Sequence, residues 1–204
     1  MRLLFTALAC LISVSVSKPM FCQSVTVQVE EVDNGSIVPG RTYRVFAVLS
    51  SAQHSLHAVF SVEEHVLNFA TTRNFFQHLY GSSSSLDVNE AIVGIEPGLA
   101  FDSWVTVGAE SSENNNLFTI GVDYSDFLAG NELNITDGAW FVVPTDVQAA
   151  AEVGNKVLLM QLTTEGKVDG LINLHGRTKA VYENEIQVGG GDQIKEEGLR
   201  FIAE

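Results

Sequence analysis

Val25-Thr26-Val27-Gln28-Val29-Glu30 alternates a branched apolar residue with a polar one, and Asp33-Asn34-Gly35-Ser36 follows soon after. Alternation with a period of two describes a strand with one buried and one wet face. Asn-Gly is the strongest short turn signal, because both residues tolerate the left-handed backbone that a tight reversal needs. Pro39-Gly40 is a second breaker, and beyond it Tyr43, Val45, Ala47 and Leu49 fall on one side of a strand over residues 43–49. The pattern predicts two antiparallel strands joined by a turn.

The same reading extends outward. Further β segments are expected at 56–62, 66–70, 104–107, 117–122, 139–143, 157–163, 170–174 and 180–188, most of them bounded by Gly, Asn, Asp or Ser. About ten short strands separated by turn signals indicate a sandwich or barrel. The expected fold class is all-β, a single antiparallel β-sandwich of jelly-roll or Ig-like type with at most one or two short helices. Helix signals are thin. Residues 146–153 could form two turns, with Thr145 or Asp146 as N-cap and Gly154 closing the end, and residues 72–79 are a second candidate. No alternation of strands with long helices occurs, which argues against a parallel doubly wound sheet.

The chain has 204 residues, of which 46% are hydrophobic and 18% charged. That apolar fraction can bury a core and argues against a disordered chain. Its 25 acidic residues against 11 basic ones, a net charge of −14, argue against a nucleic-acid binder, because phosphate binding rests on clustered Lys and Arg.

Arg2 followed by the apolar stretch 3–16 and by Ser15-Val16-Ser17 has the form of a secretory signal with a small-residue cleavage site. Four segments are therefore expected: a signal peptide at 1–17, an N-terminal extension at 18–24, a sandwich domain at 25–188, and a Gly-rich hinge with a C-terminal tail at 189–204. The tail could be a last edge strand, a disordered end, or a segment donated to a neighbour. The apolar stretch is short for a membrane span of roughly 20 residues, so no span is expected after cleavage. The expected location is extracellular or at the cell surface, with an organelle on the secretory route as the alternative. Cys22 is then the one thiol of the mature chain, read as free, with pairing between chains or a lipid attachment as the alternatives.

Motifs that carry chemistry are scarce in this chain. The chain has no Gly-x-Ser-x-Gly elbow, Walker loop, His-Glu-x-x-His or Cys-x-x-Cys. His54 and His57 are three apart, which on a strand points them to opposite faces and makes a poor zinc pair. Asp123 and Asp126 flank Tyr124 in an oxygen-rich loop that could hold calcium. Asn34-Gly35-Ser36 and Asn134-Ile135-Thr136 match the N-glycosylation sequon, marking Asn34 and Asn134 as candidate acceptors on turns. Trp104, Trp140 and Tyr124 are the candidate sugar platforms, because an aromatic face packs against the apolar face of a sugar ring. For the two tryptophans, core packing is the competing reading.

Residues 43–48 (Tyr-Arg-Val-Phe-Ala-Val), 101–108 (Phe-Asp-Ser-Trp-Val-Thr-Val-Gly), 138–143 and 159–176 resemble a β-rich module of exported proteins of marine bacteria and algae. The resemblance spans about residues 25–188. It implies a structural, surface or shell-forming role and assigns no catalytic residue. The expectation from the sequence is a secreted, non-catalytic structural or surface module acting through self-association or matrix contacts. The alternative is a carbohydrate- or calcium-binding sandwich module.

Overall fold

A computed structural model describes residues 24–183, 186–189 and 191–204. The expected signal peptide, nearly all of the N-terminal extension, and Cys22 lie outside the described residues.

The opening hairpin forms as its alternation predicts. β1 (Val25–Val32) and β2 (Arg41–Leu49) pair antiparallel, Val25 opposite Leu49 and Val32 opposite Thr42. Tyr43, Val45, Ala47 and Leu49, the four residues that share a side, are all buried. The connecting turn is built by Asn34, whose Nδ2 donates to the carbonyls of Val38 and Gly40 while its Oδ1 accepts from the Ser36 N–H. β2 continues the sheet to β9 (Lys156–Thr164), which pairs with the short β5 (Trp104–Val105), giving the order β1-β2-β9-β5.

The second sheet has seven strands. Its spine is β10 (Val168–Arg177), which pairs along one side with β13 (Gln193–Ala203). Along the other side it pairs end to end with β3 (Ser55–Ser61) and β4 (Leu67–Thr71). β8 (Gly138–Phe141) pairs with β3, β7 (Leu133–Ile135) with β4, and β6 (Phe118–Ile120) with β8. All these strand pairs are antiparallel, as in an all-β sandwich. Val45, Leu49, Leu159 and Leu162 from the first sheet meet Leu56, Val59, Phe69, Trp140 and Ile172 from the second in one continuous core. Each such side chain contributes about 1.5–3 kcal/mol when fully buried. Phe69, Phe75 and Phe127 close one end with three edge-to-face contacts at 5.4–5.8 Å.

Several sequence expectations are revised. The segment after the Gly run is β13, an integral edge strand, which is the first of the three alternatives for the tail. β10 and β13 form one long hairpin. Thr178 and Asp192 continue the bonding, and the ribbon ends in β11 (Val181–Glu183) paired with β12 (Ile186–Gly189). Residues 146–153 make only a single 3-10 turn at Val147–Ala149, capped by the Asp146 side chain. The helix stops there because Ala150 turns extended and bridges to Ser55 on β3. Residues 72–79 are not helical, since Phe75 and Phe76 bond to Thr164 and Thr163 along β9. Among the described residues the two α-helices are one turn each, α1 (Glu90–Val93) and α2 (Ser125–Leu128).

Candidate functional site

The two tryptophans are the first residues to place. Trp140 lies on β8 with its ring in the core, fully buried, and its Nε1–H donates to the Thr106 carbonyl at 3.0 Å. Trp104 lies on β5 and is 2% exposed. It fills a small second core with Val88 and Leu158, and Phe46 and Val93 pack against it. Tyr124 is half-buried, and burial pushes its hydroxyl up to about 12. The expectation that the two indoles offer stacking faces to a sugar is corrected. Both indoles contribute more by leaving water than a solvent-facing ring could, and the alternation that carries Trp140 with Val142 turns both inward.

Residues 101–108 tie the fold together. Asp102 is fully buried, and its carboxyl accepts the backbone N–H of His78 at 2.6 Å and of Ser82 at 3.2 Å. Burial pushes this carboxyl up to about 7, against the pull of the His78, Ser103 and Ser82 N–H groups. Gly81 is required by close approach, because a Cβ there would lie 1.8 Å from Asp102 Oδ2. Ser103 Oγ accepts the Thr163 N–H, and Gln161 Nε2 donates to the carbonyls of Ala100 and Asp102. Gly108, at φ +80°, lets the chain pass where a Cβ would sit 2.0 Å from the Gln148 carbonyl. A carboxyl that titrates near 7 has the basicity of a general base. Asp102, however, is sealed from solvent and spends its oxygens on backbone donors, so it acts as a clamp on the loop that carries His78 and Tyr80.

A half-buried serine meets a buried histidine on β3. Ser55 Oγ lies 2.7 Å from His57 Nε2, but His57 Nδ1 has no partner among the described residues. Burial, with His175 and Arg177 nearby, lowers the His57 pKa to about 4. A triad needs an acid on the far nitrogen and an imidazole basic enough to take the hydroxyl proton. This pair has neither.

The remaining sequence candidates are not brought together. Asp123 turns its carboxylate onto the N–H and hydroxyl of Ser125 at the start of α2, which lowers its pKa, while Asp126 is exposed within α2. Among the described residues no cluster of three or more His, Cys, Asp or Glu is placed to hold a metal ion. Asn34 is corrected as a glycan acceptor: it is 8% exposed and its amide nitrogen is committed to the turn. Asn134 is exposed on β7.

What single-segment reading missed is the outer face of the seven-stranded sheet. The register aligns Phe118, Phe141, Ala58, His175 and Lys195 in one cross-strand row, and Ile120, Ala139 and Phe60 in the next. Phe118 stacks on Phe141 at 5.7 Å, and Lys195 Nζ lies 5.4 Å from the centre of the Phe60 ring. Phe118 is 51% and Ile120 65% exposed. Two shallow hollows lie along the strip. One of about 310 Å³ runs between Phe60 and Ile120, and one of about 260 Å³ is lined by Ala58, Phe60, His175 and Lys195. The available signal was β3 itself, where Ala58 and Phe60 alternate with Val59 and so make both faces apolar.

Comparison of the chain with protein-family models, with curated proteins and with solved structures finds no match.

Proposed function

We propose that this chain is an exported, non-catalytic structural or surface module that works through contacts made by its seven-stranded sheet, with copies of itself or with an extracellular matrix polymer. The observation that carries the reading is the aromatic strip of Phe118, Phe141 and Phe60, which reaches the open edge of the sheet at β6. A contiguous exposed apolar patch costs solubility and marks an interaction surface. The Leu3 to Val16 stretch supports export, and a surface module of this kind needs no reactive centre. A second reading, carbohydrate binding, is favoured by the hollow beside Phe60, where Lys195 and His175 border an aromatic ring and could meet an acidic sugar.

Light scattering after size exclusion over a wide concentration range, together with retention on insoluble polysaccharides, tests both. Association or retention that is lost in Phe118→Asp or Phe60→Asp is the expected result. A chain that stays monomeric and passes every polymer, or that turns over esterase or glycosidase substrates, overturns the proposal.

A further inference from the structure

We infer that the partner at the open edge is a second copy of this chain, joined by antiparallel pairing of β6 with β6 about a two-fold axis at Thr119, so that two sheets become one. The inference rests on the proposed role of the seven-stranded sheet and deepens it by naming the partner and the register. Among the described residues β6 pairs with β8 and with no other strand, and Phe118, Thr119 and Ile120 are all exposed. Its outer side therefore presents backbone donors and acceptors with no protein partner, which is a template for another strand.

The composition of this edge points to a copy of itself. Residues 114–122 carry neither a charge nor a proline, although the chain holds 25 acids and a net charge of −14. Proteins usually blunt an exposed edge with charges, prolines or bulges. The other edges are protected in different ways: β13 carries Lys195, Glu196, Glu197 and Arg200, β1 carries Glu30 and Glu31, the two-residue β5 is covered by the bridge from Ser84 to Val105, and the three-residue β7, itself uncharged, is closely bracketed by Glu132 and Asp137. β1 is also tied to β13 where the Ser24 N–H donates to Glu196. In an acidic chain, a window free of charge is where two copies can approach with least repulsion.

The geometry is self-complementary. With the axis at Thr119, Phe118 faces Ile120 of the second copy and Ile120 faces its Phe118. Both residues lie on the outer face, and opposed residues of an antiparallel pair share a face. The aromatic strip of one copy thus runs without a break into that of the other. Thr119 faces its own counterpart. Opposed Cα atoms in an antiparallel pair lie about 4.5–5.5 Å apart, within the roughly 4.4–6.8 Å that a disulfide spans.

Two measurements on the full chain test the inference. The first is mass against concentration for the wild type and for Ile120→Lys, a change at an exposed position that follows the natural way of protecting an edge. The wild type is expected to move from monomer toward dimer, and the variant to need at least tenfold more protein for the same shift. The second uses Thr119→Cys with Cys10 and Cys22 both changed to Ser, exposed to oxidised glutathione. Two thiols give one disulfide, and their two electrons and two protons leave as two molecules of reduced glutathione. A covalent dimer should form faster than in the same background carrying Val153→Cys, an exposed control position. Equal rates for the two cysteines overturn the inference, as does a monomer throughout or association unchanged in Ile120→Lys. Association that survives Ile120→Lys but is lost in Phe60→Asp sinks the edge pairing and leaves the face contact standing, as does polymer retention by a strict monomer. Absence of both association and retention sinks the two together.

Discussion

Asp102→Asn should change how the stability of this protein depends on pH, and in a direction opposite to that of most carboxylates. The folded Asp102 carboxyl titrates near 7, against an ordinary value of 3.8, because it is buried. Below about pH 4 both folded and unfolded chains hold the proton, and the residue contributes no pH dependence. As pH rises through the interval between the two values, the unfolded chain releases the proton while the folded chain keeps it. The unfolded state then binds fewer protons, so stability falls with rising pH and levels off above about pH 7. A pKa raised by about 3 corresponds to about 4 kcal/mol across the interval, at about 1.4 kcal/mol for each step of one in pKa. Asparagine does not titrate. The wild-type stability minus that of Asp102→Asn should therefore shrink by about that amount between pH 4 and pH 8. Urea unfolding followed by the fluorescence of Trp104 and Trp140 at several pH values gives the difference directly, since other titrating groups cancel. A difference that stays flat or grows with pH would refute the reasoning. It would mean that the N–H groups of His78 and Ser82 hold the carboxylate ionised more strongly than burial opposes it.

Trp140→Phe leaves the Thr106 carbonyl without its buried donor, and urea midpoints should report a loss of about 1–3 kcal/mol. Gly81→Ala drives a Cβ into the Asp102 carboxylate; a fall in melting temperature of several degrees is expected, and little further loss when it is combined with Asp102→Asn, because both break one clamp. Asn34→Ala removes the three bonds that shape the β1–β2 turn and should cost about 2 kcal/mol in the same unfolding assay. When the chain is secreted from a eukaryotic host, peptide mass spectrometry should find a glycan on Asn134 and none on Asn34. A glycan on Asn34 in folded protein would contradict the commitment of its amide to the turn.

The alternation in β1 and β2, the Asn-Gly turn between them and the spacing of the later strands were legible in the sequence, because each depends on residues within a few positions of one another. Period two states which residues share a face, as with Tyr43, Val45, Ala47 and Leu49. It does not state which face meets the core when both are apolar. For Leu56 to Phe60 that was decided by pairing with β10 and β8, and the outer strip exists only because β6, β8, β3, β10 and β13 lie side by side in a particular register. The fate of Asp102 was equally hidden, since its donors His78 and Ser82 come from a loop that the local pattern around Phe101 does not mention. β7 escaped notice because three residues give alternation too little length to stand out. The sequence by itself determined that this chain makes strands, where they turn, and that it carries a net charge of −14. Tertiary structure alone decided that the tryptophans are structural, that the tail is a strand, and that the exposed aromatic surface is built from phenylalanines. Sharing a face is a local property of the backbone, whereas burial and cross-strand neighbours are set by elements far apart in the chain.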